Sequence, residues 1–565
     1  MHGSPACINI AGMRRLLFSL IALLGLVLDG PELRADPSQL VIGISQFPST
    51  FNPLIDSMAA REYILDMARR PFTTYDKDWA LVCMLCTSLP TLGNGQAVAE
   101  PGPDGRRGVA VTYSIQPQAR WGDGVPVTTK DVLFTWEVGR HPQSGVADGE
   151  LFRRIVAIDV KDAKTFTMHF DRLTYDYNAI NDFALLPEHL ERAAFANPAE
   201  YRNKSLYEAD TTNPGLYFGP YRITEVARGQ YVVLERNPSW YGRPPAFARI
   251  VVKAIEATPA LEANLLSGGI DMVAGEVGMP VDAALAFERR GRPEWVVLYK
   301  PGLVYEHMTV NLDNPMLADR RVRQALLYGL DRESMVRQLF RGKQAVANSL
   351  VNPLDWCADP TVRTYPFDPA KAAQLLDDAG WRLGSDGHRR NAQGQALWVE
   401  LMSTAGNRTR EIMELVAQQA WKRLGLTVTL HNQPARTFFG DSVLKHAFPS
   451  LALFAWMSAP ENVPRAELHS TMVPSKANNF AGENVGGYRN PRMDALLDAI
   501  EVELDRDKRR LLWAELQALY AEDLPDLPLT FRADPFILPV WLKGVEPTGH
   551  QYPTTLWIED WHVAK

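Results

Sequence analysis

Residues 212–271 read TNPGLYFGPYRITEVARGQYVVLERNPSWYGRPPAFARIVVKAIEATPALEANLLSGGID. Asn213-Pro214-Gly215 is a turn, because proline fixes φ and glycine takes the positive φ that a tight turn needs. A strand starts at Tyr221 and carries Ile223, Glu225 and Val226. Gly229-Gln230 makes a hairpin tip, and residues 231–235 return as a β-branched and apolar strand. Asn237-Pro238 breaks it. Residues 249–255 form a third strand. Leu261, Leu265 and Leu266 have helical spacing within 258–267, and Gly268-Gly269 ends that helix. Ile270-Asp271-Met272-Val273 opens another strand. The stretch is a small mixed sheet with an edge helix, which by itself names no function.

Its words, and others outward from it, do point to one. GPY (219–221), GQYVVLERNPSWYG (229–242) and LSGGID (266–271) follow one another in order. Upstream stand W-x-D-G-x-P-x-T-x-x-D-V (121–132) and LPEHL (186–190). Downstream stands F-D-P-x-K-A-x-x-L-L-x-x-A-G-W (367–381). In this order they resemble the extracellular solute-binding proteins of family 5, the oligopeptide/dipeptide-binding type, which are receptor components of ABC importers. The resemblance implies an α/β, two-lobed periplasmic binding protein-like fold with hinged lobes (type II, cluster C), its first lobe bearing an additional subdomain. The corresponding partition is a signal peptide at 1–35, a first-lobe core from 36–70, 207–300 and 526–565, an additional subdomain at 71–206 and a second lobe at 301–525. On this architecture the strands of 301–525 belong to a sheet separate from that of Val232 and Val251. The implied partners are a small peptide-like solute and the ABC permease subunits in the inner membrane, with the receptor a monomer and no cofactor.

Composition agrees with this class. A chain of 565 residues exceeds one core and suggests two or three packing units. Hydrophobic residues at 46 % and charged ones at 22 % describe an ordinary globular protein. A formal net charge of −7 argues against nucleic acid as a partner. Arg14-Arg15, an apolar run to Leu28 and a break at Asp29-Gly30-Pro31 are the parts of a secretory signal, too short for a normal span. No cysteine ends the run, so no lipid anchor is expected and the periplasm is the inferred location. Cys83 and Cys86 suit a local disulfide in an oxidising compartment, or two buried thiols; a zinc site would need more ligands at characteristic spacing.

Local patterns fill in the rest. Thr128 and Asp131 make a capping-box pair. Residues 93–108, rich in Gly and Pro, read as a surface loop. Residues 295–299 are a strand, Lys300-Pro301-Gly302 a crossing between units, and 305–311 the first strand of the next. Asp368-Pro369 is an N-cap followed by proline at N1. Residues 408–424 form a helix with Ile412, Leu415, Val416 and Ala420 facing in. Met493, Leu496, Leu497 and Ile500 mark another buried stripe.

Catalytic motifs are missing: there is no G-x-S-x-G, HExxH or phosphate loop. The chain therefore reads as a binding module and not an enzyme, the alternatives being a secreted hydrolase or a receptor for a metal chelate, opine or sugar. In the resembling family the loop after strand 451–457 often carries an Asp for the ligand amine. Here it reads Ser458-Ala459-Pro460-Glu461-Asn462, so Glu461 is the nearest carboxylate. Arg408 stands where some dipeptide binders place an Arg for the ligand carboxylate. The family's cleft mouth implicates Phe47, and the strand ends implicate Trp456, His307 and Ser458. The expected site is thus Phe47 and Trp456 sandwiching a solute whose charge Glu461 or Arg408 reads.

Overall fold

The computed structural model describes residues 38–564, except 56–57, 148, 435–436, 444 and 477–481. The signal segment assigned to 1–35, with Cys7, lies outside the described residues.

The apolar run near Leu40 is strand β1 (Gln39–Ile44). Helices α1 (Ala59–Leu65) and α2 (Thr129–Arg140) follow, and α2 carries the expected capping box between Thr128 and Asp131. The 212–271 stretch folds as its pattern predicts, into β2 (Tyr221–Ala227), β3 (Tyr231–Arg236), β4 (Arg249–Ala254), α3 (Thr258–Leu266) and the short β5 (Met272–Val273). Two long strands come next in the architecture: β6 (Trp295–Val310), of 16 residues, and, far downstream, a 14-residue partner. Between them lie helix α4 (Pro369–Asp378), β7 (Trp398–Met402), α5 (Arg408–Arg423), β8 (Thr427–Leu430), β9 (Leu451–Met457), α6 (Pro491–Val502) and α7 (Arg506–Asp523). The downstream partner is β10 (Asp526–Pro539).

The main sheet runs β8-β7-β9-β6-β10-β5-β1-β4-β3-β2. β1 pairs in parallel with both β4 and β5, and β7 in parallel with β8 and β9. β6 and β10 are antiparallel to each other along nearly their whole length, from Trp295 opposite Pro539 to Thr309 opposite Asp526. Here the structure corrects the sequence reading. Lys300-Pro301-Gly302 does not interrupt the chain: β6 continues through it, and the missing proline N–H is absorbed by a register shift between Pro301 and Tyr305. The sheet of 301–525 is therefore not separate from that of Val232 and Val251; one hydrogen-bonded ladder joins them through β6 and β10.

Packing is nevertheless divided, giving the two-lobed α/β fold. One hydrophobic core gathers Leu40, Phe72, Trp121, Tyr221 and Val252 and closes with Phe536, Leu538 and Trp561. A second gathers Met308, Leu326, Leu376, Trp421, Leu453 and Leu529. A four-stranded antiparallel sheet packs on the first core, and its strand Ala97–Pro101 lies inside the expected surface loop 93–108. The Gly/Pro content there marks the tip of a hairpin, not a free loop. Gly302 sits where a Cβ would come within 2.8 Å of the Gly549 carbonyl oxygen, so the C-terminal segment can lie directly on the crossing.

The buried face of α5 also differs. Arg410, Met413, Glu414, Ala417 and Trp421 face in, while Leu415 is 51 % exposed. A polar pair within the stripe hides the true face from a reading by apolar periodicity. By contrast, Met493, Leu496, Leu497 and Ile500 are the buried residues of α6, as expected.

Candidate functional site

β9 leaves the second core as it runs. Residues 451–454 are buried, Ala455 and Trp456 half-buried, and Met457 is 47 % exposed. Met457 borders three recesses. One lies in the second lobe among Leu303, Tyr305, Trp456, Ser458, Trp513 and Phe531. The second lies against the first lobe, among Arg61, Glu62, Arg69, Asp182, Gln551 and Tyr552. The third runs from Ser45 and Glu276 to Arg410, Arg532 and Asp534. A cleft with walls from both lobes thus centres on the end of β9.

Its charges are organised in two buried groups. Glu306, on β6, accepts from Arg410 Nε and Arg532 Nε, both at 2.6 Å. Burial alone would raise this carboxyl, but the charges of Arg532 and Arg410 outweigh it and bring it down to about 2. Across the cleft, Glu62 on α1 is clasped by Arg61 and Arg69, and Asp66 lies 3.2 Å from Arg69. Burial pushes Asp66 up to about 7 against the pull of Arg69. Asp534 is likewise raised to about 7 by burial and by the neighbouring Glu276.

The expected site residues are scattered by this geometry. Trp456 and Ser458 line the second-lobe recess. Phe47 is half-buried, packs edge-on against Phe51 with ring centroids 6.1 Å apart, and lines none of the three recesses. His307 is 0 % exposed; it stacks on Tyr305, and its ring nitrogens meet the Tyr305 carbonyl and Thr309 Oγ1 at 3.1 and 3.0 Å. It therefore offers no surface to a solute. Arg408 is exposed and borders none of the three recesses; the guanidinium that enters the cleft belongs to Arg410, two residues on. Glu461 turns its carboxylate to Arg506 and Arg509, at 3.2 and 3.0 Å, so its charge is already matched. Cys83 and Cys86 are joined as a disulfide with Cα atoms 5.4 Å apart and line none of the three recesses.

Sequence reasoning missed Arg410, Glu306 and Arg532, and also Asp355, Glu467 and Asp526 in the second-lobe recess. A signal for Arg410 exists: it heads the i, i+3, i+4, i+7, i+11 series that ends at the fully buried Trp421. The other residues are assembled from separate segments and carry no local signature. Among the described residues no cluster of His, Cys, Asp and Glu is arranged to hold a metal ion, and no helix is long and apolar enough to cross a membrane.

Comparison with known proteins adds the following. The family model described as bacterial extracellular solute-binding proteins, family 5 Middle, matches residues 104–471. Oligopeptide-binding protein AppA of Bacillus subtilis is 24 % identical over 536 residues, covering 93 % of this chain and 92 % of that protein. The oligopeptide binding protein of Thermus thermophilus, solved with a pentapeptide, superposes with a TM-score of 0.77 at 28 % identity, covering 94 % of this chain and 98 % of the other. NikA of Brucella suis, solved with Fe(III)-EDTA, reaches the same TM-score at 21 % identity, covering 93 % and 99 %; at that identity the likeness is one of fold.

Proposed function

The chain belongs to the family 5 bacterial extracellular solute-binding proteins, and from that premise we propose that it captures a peptide or peptide-like solute between its lobes and delivers it to the permease of an ABC importer. The observation that carries the reading is the cleft around Met457, whose walls come from both lobes and whose Glu306 carboxylate is paired with Arg410 and Arg532. Matched ion groups bind and orient; the Glu306 carboxylate, held down by two arginines, is poorly suited to take up a proton in catalysis. The protein acts as a monomeric receptor without turnover, after export to the periplasm. The division between 36–300 and 301–525 finds support in the two cores; 71–206 shares the first core with 36–70 and 207–300, and Val281, Leu285, Leu527 and Leu529 join the second. Native mass spectrometry of the purified protein with a mixture of tri- to pentapeptides tests the reading. One intact peptide per chain is expected. Cleaved products appearing with turnover would make the protein an enzyme, and binding of no peptide would remove this solute class.

A further inference from the structure

The second-lobe recess, with the solvent at its mouth included, has a volume of about 670 Å³. Tyr305, Trp456, Trp513 and Phe531 give it aromatic walls, and three carboxylates, Asp355, Glu467 and Asp526, lie among its lining residues. Among the described residues no Lys, Arg or His lines it. The nearby cations Arg506 and Arg509 are committed to Glu461. We infer that this recess selects a basic side chain of the solute, one ending in a positively charged amine or guanidinium, an inference that rests on the receptor reading above.

The three carboxylates are not equivalent. Asp526 accepts from the Tyr520 hydroxyl at 3.0 Å and stands 3.9 Å from His307 Nε2. Asp355 accepts the Glu461 N–H at 3.3 Å. Glu467 has no ion pair among the described residues, and its carboxyl is met by its own backbone N–H. Burial and the neighbouring Glu483 push its carboxyl up to about 8, so in the empty recess a proton neutralises it; a bound cation takes the place of that proton. A second observation is independent of the carboxylates. Trp513 is 1 % exposed, lines the recess, and its indole Nε1 has no hydrogen-bond partner. A buried indole N–H needs an acceptor, which a solute carbonyl close to the cation supplies. The carboxylates are not grouped closely enough to chelate a metal ion, whereas an organic cation several ångströms across can reach more than one of them and lie against the aromatic faces.

The test is calorimetric titration of the full exported chain with alanine tripeptides carrying lysine, or the equally long but neutral norleucine, at each position in turn, and with cadaverine as a non-peptide cation. At one position the lysine peptide should bind at least tenfold tighter than its norleucine counterpart. In Glu467→Gln, and in Asp355→Asn as a second variant checked by circular dichroism, that ratio should fall towards one. Equal affinity for lysine and norleucine peptides overturns the inference and leaves the receptor reading standing. Cadaverine binding without any peptide binding supports the cation recess and overturns the peptide reading. Undiminished selectivity in both folded variants, or no binding by any probe, overturns the inference.

Discussion

Glu306 is the residue on which the cleft's electrostatics turn. Glu306→Gln leaves two guanidiniums facing each other with no counter-charge, one of them buried, and should cost about 3 kcal/mol of folding free energy, read from urea midpoints at pH 7. Because its folded carboxyl is lowered to about 2, the wild-type advantage is complete above the ordinary glutamate range. It is lost as pH falls through that range towards 2, so the two midpoints should converge in acid. Glu467 behaves in the opposite sense. With its carboxyl raised to about 8, unliganded stability is fullest below the ordinary glutamate value and declines as pH rises through 8; Glu467→Gln should flatten that decline. Affinity for a lysine tripeptide should rise between pH 6 and 9 as the proton leaves Glu467, with Asp526, Asp355 and Glu483 as the other titratable carboxylates around the recess. Trp456 faces the same recess, and Trp456→Ala should weaken that peptide by about 2 kcal/mol, roughly thirtyfold in Kd.

At the scale of the element, helix α5 separates what is readable from what is not. Its limits follow from the sequence, as do the β2–β3 hairpin, the α2 capping box and the α6 stripe, because each depends on neighbours within one or two turns. Its buried face escapes a reading by apolar spacing because Arg410 and Glu414 occupy core positions, and their burial makes sense only with Glu306 and Asn432 in place, at 2.6 and 2.7 Å. The two candidate faces make opposite predictions. Trp421→Ala should cost about 3–5 kcal/mol, whereas Leu415→Ala on the exposed side should fall within about 0.5 kcal/mol; thermal melts of both variants decide. The same argument covers the site: Trp456 and Ser458 sit at the end of a legible strand, but Asp355, Glu467 and Asp526 come together only through tertiary packing.

Across the whole molecule, the lobes also touch beside the recess, through residues that do not line it. Arg172 lies 3.3 Å from Glu501, the Tyr175 N–H donates to the Glu501 carbonyl at 2.9 Å, and the Arg509 guanidinium stands 4.5 Å from the Tyr175 ring centroid. These contacts favour the closed arrangement from outside the recess lining. Arg172→Ala combined with Tyr175→Ala should raise the radius of gyration in small-angle scattering and weaken solute binding. The paired strands β6 and β10 carry a further consequence, for biogenesis. Thr309 lies opposite Asp526, so everything between them is, topologically, the loop of one hairpin. The first core needs Phe536, Leu538, Ile558 and Trp561 from beyond that loop. A chain emerging from its N-terminus therefore holds an unfinished first half until its last segment arrives, and the inserted half is the one able to mature first. Such an order keeps the early part of the chain open to threading through a translocation pore until synthesis is nearly over.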